Sequence, residues 1–361
     1  MIMHKNVPAM VFDTDTHSGE IMNRRIMPVG IRREEDSWDA VRSFCASRTL
    51  MAGRMYAKEI RTSCGIDDQS DMNICITSKA LSLRDSFWIK KEGSTECWES
   101  VNLYHNMFSE EIAMTGITGE ASSVHIGDGH YTGELTNRGM SAKAYIRDGE
   151  GIFLAKAETE EEIACEVISC QLAEAIGLKS AEYVRKEVFG VPCSVCRIET
   201  SPDREMVHAR EILSFCGSQM NIDSDYYRQF IEICGEQFLR MQVFDYITLN
   251  TDRNRDNFAI EYRNGAPAGL YPIYDHDSCY KGKSEKAAYF VTGKTFARSI
   301  ELIFARYPEE MEKISGDVRA ALPLLKSRQT EDTFVKLGLG KNYMGTLKRA
   351  EDIAFFKLHD T

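Results

Sequence analysis

Two polar clusters in the C-terminal half of the chain flank a predicted β-hairpin, and this arrangement limits the folds that the chain can adopt. The first cluster, Asp252-Arg253-Asn254-Arg255-Asp256-Asn257, follows an apolar, helical segment. Asn264-Gly265 then separates two apolar segments and is a strong hairpin signal. A hairpin here brings Asn257, before its first strand, close to Asp275, after its second strand. The sequence therefore predicts one polar site at the open end of the hairpin.

The spacing of these residues is typical of phosphoryl transfer on a kinase fold. Such a fold supplies a general base, an Asn a few residues later and a further Asp, and the last two bind Mg²⁺. On this interpretation Asp252 is the base, and Asn257 and Asp275 are the metal ligands. Asp277 is a rival ligand to Asp275, and Asp256 is a weaker one. A plain polar turn is the alternative, because Asp and Asn are common in turns.

A Lys on a predicted strand and a Glu on a predicted helix lie upstream, in the order that kinases use. Residues 151–156 alternate apolar side chains and end on Lys156. Thr159 and Glu162 form a capping-box pattern at the start of a helix that contains Glu166. In kinases a strand Lys paired with a helix Glu contacts the nucleotide phosphates. Taken alone, Lys156 and Glu166 are better explained as surface charges, and their order relative to Asp252 favours the kinase interpretation.

The segment before that strand, residues 136–144, is a candidate nucleotide loop. It contains one glycine, Gly139, where a typical kinase loop has three, and it lacks the GK[ST] of a P-loop. Gly139, Ser141 and Lys143 are the candidate nucleotide-binding residues, because Lys143 and the amides around Gly139 can meet phosphates. A flexible turn explains the same segment equally well.

The order of these parts resembles the HipA-like serine/threonine protein kinases, which include bacterial toxin kinases and standalone, CtkA-type members. Their fold is a divergent relative of the phosphoinositide kinases. The matching segments fall within residues 136–280, under half of the chain. They are T-N-R-G-M-S-A-K (136–143), F-L-A-K (153–156), E-V-I-S-C-Q-L-A-E-A-I-G (166–177), D-R-N-R-D-N-F (252–258) and P-I-Y-D (272–275).

The resemblance implies an α+β class with a divergent bilobal protein-kinase-like fold. A small antiparallel-sheet N-lobe would span residues 126–200, and a mostly helical C-lobe would span residues 201–361. Residues 1–125 would form an extra N-terminal α/β region of unknown role. The implied activity is the ATP-dependent transfer of the γ-phosphate to a protein Ser or Thr, with ATP and Mg²⁺ as cofactors.

The resemblance also implies roles for individual residues. Asp252 would be the catalytic base, with Asn257 and Asp275 on Mg²⁺ and with Lys156 held on the phosphates by Glu166. The strand that ends in Ile198-Glu199-Thr200 would pass the adenine and form the hinge between the lobes.

Thr136 aligns with a loop serine whose phosphorylation in HipA ejects the loop and stops activity. Autophosphorylation at Thr136 is therefore a hypothesis, with Ser141 as the competing site. A phosphate adds a charge of about −1.5 to −2, enough to displace a loop that holds ATP phosphates. The implied partners are a protein substrate with Ser or Thr and, for members of toxin pairs, an antitoxin or other regulatory protein.

Two other functions are compatible with the same residues. A small-molecule or lipid kinase could use the same scaffold, because the fold does not fix the acceptor. A catalytically weak, nucleotide-binding regulatory module would keep the fold without the turnover.

Composition and charge exclude several other classes of protein. A hydrophobic content of 43% and an aromatic content of 10% indicate a globular chain. The net charge of −11 argues against direct binding to nucleic acid. No apolar run approaches the ~20 residues of a membrane span, and the N-terminus has no signal-peptide pattern. The eleven cysteines are scattered among apolar residues, which is typical of reduced thiols in a cytoplasmic protein.

The sequence pattern also predicts individual elements. We expect Cys193 and Cys196 to lie on a core strand rather than in a metal or redox site. Strands are predicted at 7–12, 21–31, 74–80, 183–188 and 191–199, and a linker at 115–135. Helices are predicted at 34–60, 225–249, 297–306, 309–325 and 343–359, with a partly helical segment at 204–215.

Overall fold

The computed structural model describes residues 1–66, 70–121, 131–216 and 220–356 of the chain. The residues form two units, and the chain passes between them several times. The first unit comprises Met1–Glu158, Lys186–Val207 and Arg263–Gly265. The second comprises Thr159–Arg185, His208–Tyr262 and Ala266–Thr361. Each unit contains both helices and strands, which confirms the predicted α+β class.

The first unit begins with a four-stranded antiparallel sheet and five helices. The strands are β1 (Ile2–His4), β2 (Val7–Asp13), β3 (Ser18–Ile21) and β4 (Phe87–Ile89), in the order β3-β2-β1-β4. The helices are α1 (Ser37–Ala46), α2 (Ala57–Ser63), α3 (Asp71–Thr77), α4 (Trp98–Val101) and α5 (Glu110–Thr118). Met10, Val41 and Phe44 belong to one buried apolar cluster of the sheet and α1.

Four predictions for this region are wrong in part or in whole. The strand predicted over 21–31 ends at Ile21, and two 3-10 turns replace its remainder. Residues 74–80 are mostly helical, because Ser70 caps α3 by accepting a hydrogen bond from the amide of Asn73. The helix predicted over 34–60 is split into α1 and α2. Tyr56, immediately before α2, has a left-handed φ of 61°, which is incompatible with a continuous helix. The predicted linker is helical as far as Thr118, and residues 122–130 of it lie outside the described residues.

A second sheet of the first unit carries the candidate Lys strand. It contains β5 (Lys143–Asp148), β6 (Gly151–Ala157), β7 (Tyr183–Val188) and β8 (Val191–Arg197), in the order β5-β6-β8-β7. The chain crosses from the second unit to the first within β7. Both cysteines of the C-x-x-C segment are buried in β8, so the predicted core strand is confirmed. β9 (Arg204–His208) occupies the start of the segment that was predicted as partly helical.

The second unit is mainly helical around the candidate catalytic turn. Its first helices are α6 (Glu160–Ala175), α7 (Ala209–Cys216), α8 (Asp225–Cys234) and α9 (Glu236–Thr248). The capping box at the start of α6 is confirmed. The single helix predicted over 225–249 is wrong, because Gly235 has φ 55° and ψ −138° and separates α8 from α9. Phe230 and Phe238 stack with ring centroids 5.2 Å apart and join the two helices in one core.

The predicted hairpin forms in this part of the chain. β10 (Ala259–Arg263) and β11 (Ala266–Leu270) pair on either side of Asn264 and Gly265. These two residues have φ values of 51° and 78°, the left-handed conformations that a two-residue turn of this twist requires. The hairpin prediction is therefore confirmed.

The C-terminal part of the second unit adds a short ribbon and four helices. The ribbon is β12 (Ala288–Tyr289) with β13 (Lys294–Thr295). The helices are α10 (Phe296–Arg306), α11 (Pro308–Leu325), α12 (Arg328–Lys336) and α13 (Gly340–Ala354). Three of these helices were predicted and α12 was not; residues 357–359 of the last prediction lie outside the described residues.

Within the described parts of the chain, no helix is both long and apolar enough to cross a membrane. The cysteines whose side chains are described are free thiols, and all of them except Cys97 are buried.

Candidate functional site

The turn after α9 brings Asp252 and Asn257 together. Helix α9 ends at Thr248, and the next residue, Leu249, has a left-handed φ of 47° and turns the chain. The side-chain oxygen of Asn250 accepts a hydrogen bond from the amide of Asp252 at 3.2 Å. The side-chain amide of Asn257 donates to the carboxylate and to the main-chain oxygen of Asp252, each at 2.8 Å. Asn250 therefore fixes the backbone of Asp252, and Asn257 fixes its carboxylate.

A fully buried ion pair lies beneath this turn. The guanidinium of Arg253 donates to the carboxylate of Asp245 at 3.0–3.2 Å, and neither side chain is exposed to solvent. The hydroxyl of Tyr289 donates to the same carboxylate at 2.7 Å. Asp245 raises the pKa of Arg253, which keeps the arginine charged despite its burial.

Arg253 also connects the turn to the strand that leads to Asp275. Its Nη1 donates to the carbonyl of Asn257 and, at 3.1 Å, to the carbonyl of Tyr274. One guanidinium therefore binds the carbonyl of Asn257 and the carbonyl that precedes Asp275, the two residues predicted to bind the metal. This arrangement fixes Asn257 and Asp275 relative to each other.

Asp275 lies in a strained backbone conformation that two side chains support. Its φ is 64°, which is unusual for a residue other than glycine. The amide of Asp275 donates to the hydroxyl of Tyr183 at 3.2 Å. The amide of His276 donates to the carboxylate of Glu166 at 2.7 Å, and that carboxylate is completely buried. Strain of this kind persists only where the surrounding groups enforce it, and it is common at functional sites.

The charges at the site favour a cation. Burial and the charge of Asp275 raise the pKa of Asp252, and Asp277 adds to the effect. The hydrogen bonds from Asn254 and Asn257 act in the opposite direction. Asp275 and Asp277 are therefore close enough to Asp252 to disfavour its negative charge, and a divalent cation would relieve that repulsion.

The residues present fit Mg²⁺ bound together with a nucleotide. In the described ranges, no group of three or more His, Cys, Asp or Glu side chains is arranged to hold a metal. Mg²⁺ in phosphoryl-transfer sites uses one or two carboxylates, while substrate phosphates and waters complete the coordination. Because the amide nitrogen of Asn257 is used on Asp252, its side-chain oxygen is the atom that suits a cation. Asn257 with Asp275 thus provides a suitable pair of oxygen ligands.

The two rival ligands have different surroundings. Asp277 accepts a hydrogen bond from the hydroxyl of Ser278 at 3.0 Å and contributes charge at Asp252. Asp256 instead pairs with Arg210, whose pKa it raises. The Asp256 carboxylate is thus already engaged by an arginine, and its rank as the weaker ligand stays a prediction.

Lys156 is buried on β6 in the first unit. Its ammonium group pairs with the carboxylate of Glu158 at 2.9 Å, and the side chains are only 6% and 4% exposed. Lys156 lies directly opposite Lys143 on β5 and opposite Ser194 on β8. Like charges opposite each other on neighbouring strands are unfavourable unless an anion compensates them. Glu158 is one such anion, and a phosphate would be another.

The candidate nucleotide loop begins with a buried turn. Thr136 ends a 3-10 turn, is only 2% exposed, and its hydroxyl donates to the carbonyls of Leu81 and Gly133 at 2.6 and 3.1 Å. Phosphorylation of Thr136 would require this turn to open, so the autophosphorylation site stays a prediction. Ser141, the competing site, is half-buried.

Gly139 and Lys143 lie against each other within this loop. Gly139 has a φ of 110°, and a β-carbon there would come within 2.2 Å of the ammonium nitrogen of Lys143. The Lys143 ammonium group is therefore folded over the backbone of the loop. This brings a positive charge to the backbone amides that were predicted to meet phosphates.

The predicted hinge residues follow β8. The amide of Ile198 donates to the carbonyl of Ile152 at 2.8 Å, which continues the sheet by one residue. Glu199 pairs with Arg204 at 2.8 Å, and the hydroxyl of Thr200 donates to the carbonyl of Leu83. The segment is thus fixed at both ends, and its role beside adenine stays a prediction.

Several buried polar residues of these sites were not predicted from the sequence. Glu158 was detectable, because it lies two residues after Lys156 and side chains at that spacing share one face of a strand. Each of the others has a partner at least 44 positions away in sequence, and no local pattern marks that contact. They are Arg54, Glu134, Tyr183, Asp245 and Tyr289.

Comparisons with known proteins identify a fold. No protein-family model and no curated protein matches the chain. Among solved structures, the chain is similar to HipA of Shewanella oneidensis, determined in a toxin–antitoxin complex with HipB and operator DNA. The TM-score is 0.56 at 13% identity, with 97% of this chain and 96% of that chain covered.

The proinflammatory kinase CtkA of Helicobacter pylori is a second similar structure. It has a TM-score of 0.40 and 14% identity, with 60% of this chain and 94% of that chain covered. The fold assignment rests on the first similarity alone. The chain has a HipA-like α+β fold.

Proposed function

We propose that this protein is a Mg-ATP-dependent serine/threonine protein kinase of the HipA type. The observation that supports it most is the turn of the second unit, where Asn257 contacts Asp252 and Arg253 binds the backbone beside Asp275. The same three residues were selected from the sequence because their spacing suits phosphoryl transfer. The HipA-like fold supports the same class of reaction.

In the proposed reaction, a Ser or Thr hydroxyl oxygen of the substrate protein attacks the γ-phosphorus of ATP. The bond between that phosphorus and the bridging oxygen of the β-phosphate breaks, and ADP leaves. Asp252 orients the hydroxyl and takes its proton, a role that suits a carboxylate with a raised pKa. The hydrogen bonds from Asn257 keep the Asp252 carboxylate in place.

The remaining residues position charge. Asn257 and Asp275 would hold Mg²⁺, which neutralises phosphate charge when it is bound. Lys156 and Lys143 supply positive charge for the phosphates from neighbouring strands. Glu166 keeps the backbone next to Asp275 in its strained conformation through its hydrogen bond to the amide of His276.

The proposal extends to partners and location. The structural relative from Shewanella oneidensis was determined with the antitoxin HipB, so a regulatory protein partner belongs to the proposal. Buried, free thiols suit a reducing cytoplasm.

Intact-mass spectrometry before and after incubation with Mg-ATP tests the proposal. We expect the wild type to gain one or more phosphates, or to phosphorylate a general protein substrate. Asp252→Ala should lose activity by roughly 10²–10⁴-fold, the usual effect of removing a general base. Asp256→Asn, in the same turn, is the matched control and should keep most of the activity. Mapping of the phosphate, with Thr136→Val and Ser141→Ala in parallel, identifies any modified loop hydroxyl.

The same experiment separates the alternative functions. ADP release without phosphate on any protein would point to a small-molecule or lipid acceptor. ATP binding without ADP release would point to a regulatory module. If the wild type neither binds nor consumes ATP, the proposed function is wrong.

A further inference from the structure

Three backbone carbonyls around the candidate nucleotide loop converge on one buried arginine. Arg54 lies in the turn before α2, and its Nη1 donates to the carbonyls of Glu134 and Asn137 at 3.1 and 3.0 Å. Its Nη2 donates to the carbonyl of Lys143. The Glu134 carbonyl lies just before the loop, the Asn137 carbonyl near its start and the Lys143 carbonyl near its end. A single side chain from the N-terminal region therefore fixes both ends of the loop.

Glu134 completes this arrangement. Its carboxylate accepts from Nη2 of Arg54 at 2.9 Å and from the amide of Tyr145 at 2.7 Å. The Arg54 and Glu134 side chains are 0% and 2% exposed. A β-carbon on Gly116 of α5 would come within 2.8 Å of the Lys143 carbonyl, so α5 packs closely behind the pair. The Arg54 and Glu134 side chains are thus buried and closely packed, which leaves them little freedom to rearrange.

The direction of the carbonyls determines the direction of the loop amides. In a trans peptide the N–H points opposite to the C=O of the preceding residue. The Asn137 carbonyl points to Arg54, and the Met140 carbonyl accepts a hydrogen bond from the amide of Met55 at 2.8 Å. The amides of Arg138 and Ser141 are therefore directed away from the N-terminal region. Backbone amides directed together in a loop form a site for anions such as phosphate.

We propose that Arg54 and Glu134 are a positioning pair that holds the nucleotide loop in its phosphate-binding conformation. This inference rests on the proposed function, because it assigns the loop to ATP. Neither side chain contacts the nucleotide; both act through the backbone of residues 134–145. The N-terminal region is then a working part of the nucleotide site, and ATP affinity depends on it.

The test compares Arg54→Lys with Arg48→Lys in the full-length protein. Lysine keeps the charge but has one ammonium group, which cannot reach three carbonyls as a guanidinium does. Arg48 is a matched control, because it forms another buried ion pair of the same unit, with Asp85, and donates to the carbonyl of Ala80 rather than to the loop. ATP affinity, KM and kcat are measured for each variant, together with the melting temperature and hydrogen exchange of the peptide spanning residues 134–145.

We expect Arg54→Lys to raise the Kd and KM for ATP by about 10–100-fold, the usual effect of disturbing a supporting residue. Its kcat should stay within about threefold, since the residues of the catalytic turn are untouched. Exchange in residues 134–145 should become faster. Arg48→Lys should lower the melting temperature by a similar amount and leave Kd and KM nearly unchanged.

Two outcomes would overturn the inference in different ways. If the wild type binds ATP and both variants lose affinity equally, or Arg54→Lys loses none, the pair serves only stability and the proposed function still stands. If the wild type does not bind ATP, the proposed function fails and the nucleotide role of the pair fails with it. In that case, faster exchange in Arg54→Lys alone would leave Arg54 as a purely structural residue.

Discussion

Replacing Arg253 with methionine is the perturbation that most directly probes how the candidate catalytic turn is held. Arg253 has no exposure to solvent and donates to Asp245 and to the carbonyls of Asn257 and Tyr274. Methionine has a similar length but no hydrogen-bond donor. In Arg253→Met, the Asp245 carboxylate therefore stays buried and keeps only its neutral donors, such as Tyr289.

The expected destabilisation follows from these contacts. Removing one partner of a buried ion pair costs about 3–5 kcal/mol, because the other charge is left without compensation. Asp245→Leu should cost a similar amount for the same reason. In the double variant no charge is left uncompensated, and the remaining penalty is the loss of a donor at two carbonyls, about 1–3 kcal/mol each. The single variants together cost about 6–10 kcal/mol and the double variant about 2–6 kcal/mol, so the double variant should cost about 4 kcal/mol less than the sum.

Urea denaturation of the wild type, the two single variants and the double variant measures these free energies of unfolding. Phosphotransfer activity is then measured without urea. It shows whether the double variant lacks activity even though it is more stable than the sum of the two single substitutions predicts. Additive effects of the two single substitutions would refute the reasoning. They would mean that Asp245 and Arg253 do not interact in the folded protein as the structure places them.

Two further predictions concern the site residues themselves. Burial and the charge of Asp275 raise the pKa of Asp252, so its ionised form destabilises the fold above that pKa and has no such effect below the unfolded value of about 4. Asp252→Asn should therefore raise the melting temperature at pH 7.5 without Mg²⁺ by a few degrees at most, about 2–4 °C per kcal/mol. This gain in melting temperature should shrink as the pH falls toward about 4. A lower melting temperature of Asp252→Asn than of the wild type at pH 7.5 would contradict the prediction. Gly139→Ala should weaken ATP binding roughly tenfold, as measured by calorimetric titration, because alanine at a φ of 110° costs about 1–3 kcal/mol and displaces Lys143. The control variant Gly149→Ala has open space around the new methyl group and should bind ATP as the wild type does. Equal ATP affinities of the two variants would contradict the prediction.

Local sequence signals predicted the elements that local physics controls. The capping box of Thr159 and Glu162 and the Asn264-Gly265 turn each satisfy their own backbone within a few residues. Tertiary context has little influence on such features, so both were predicted correctly. Arg253 joins the segments before and after this hairpin through the carbonyls of Asn257 and Tyr274.

The wrong predictions arose where two local signals conflicted. The apolar stripe over 225–249 continues through Gly235, and the periodicity outweighed the glycine that ends one helix and starts the next. The β-branched residues around Ile74 suggested a strand, whereas the Ser70 cap and burial of one face produced a helix. A cap and a glycine are single residues, so a periodicity averaged over many positions easily hides them.

Most of the support for the candidate site could not be predicted from one sequence. The Arg54–Glu134 pair joins residues 80 positions apart, and Glu166 is 110 positions from His276. Their chemistry is visible in the sequence only as ordinary charged residues. What makes them important is complete burial, and burial depends on the whole fold.

The order of strands around β6 bears on how the chain folds as it leaves the ribosome. β6 pairs with β5 on one side and with β8 on the other, yet α6, which belongs to the other unit, is synthesised between β6 and β8. Until β8 emerges, the edge of β6 from Phe153 to Ala157 has no partner strand. An open edge of this kind readily pairs with other chains. We therefore expect the nascent chain to be prone to aggregation during this interval, and a chaperone that binds extended segments to raise the yield of soluble protein.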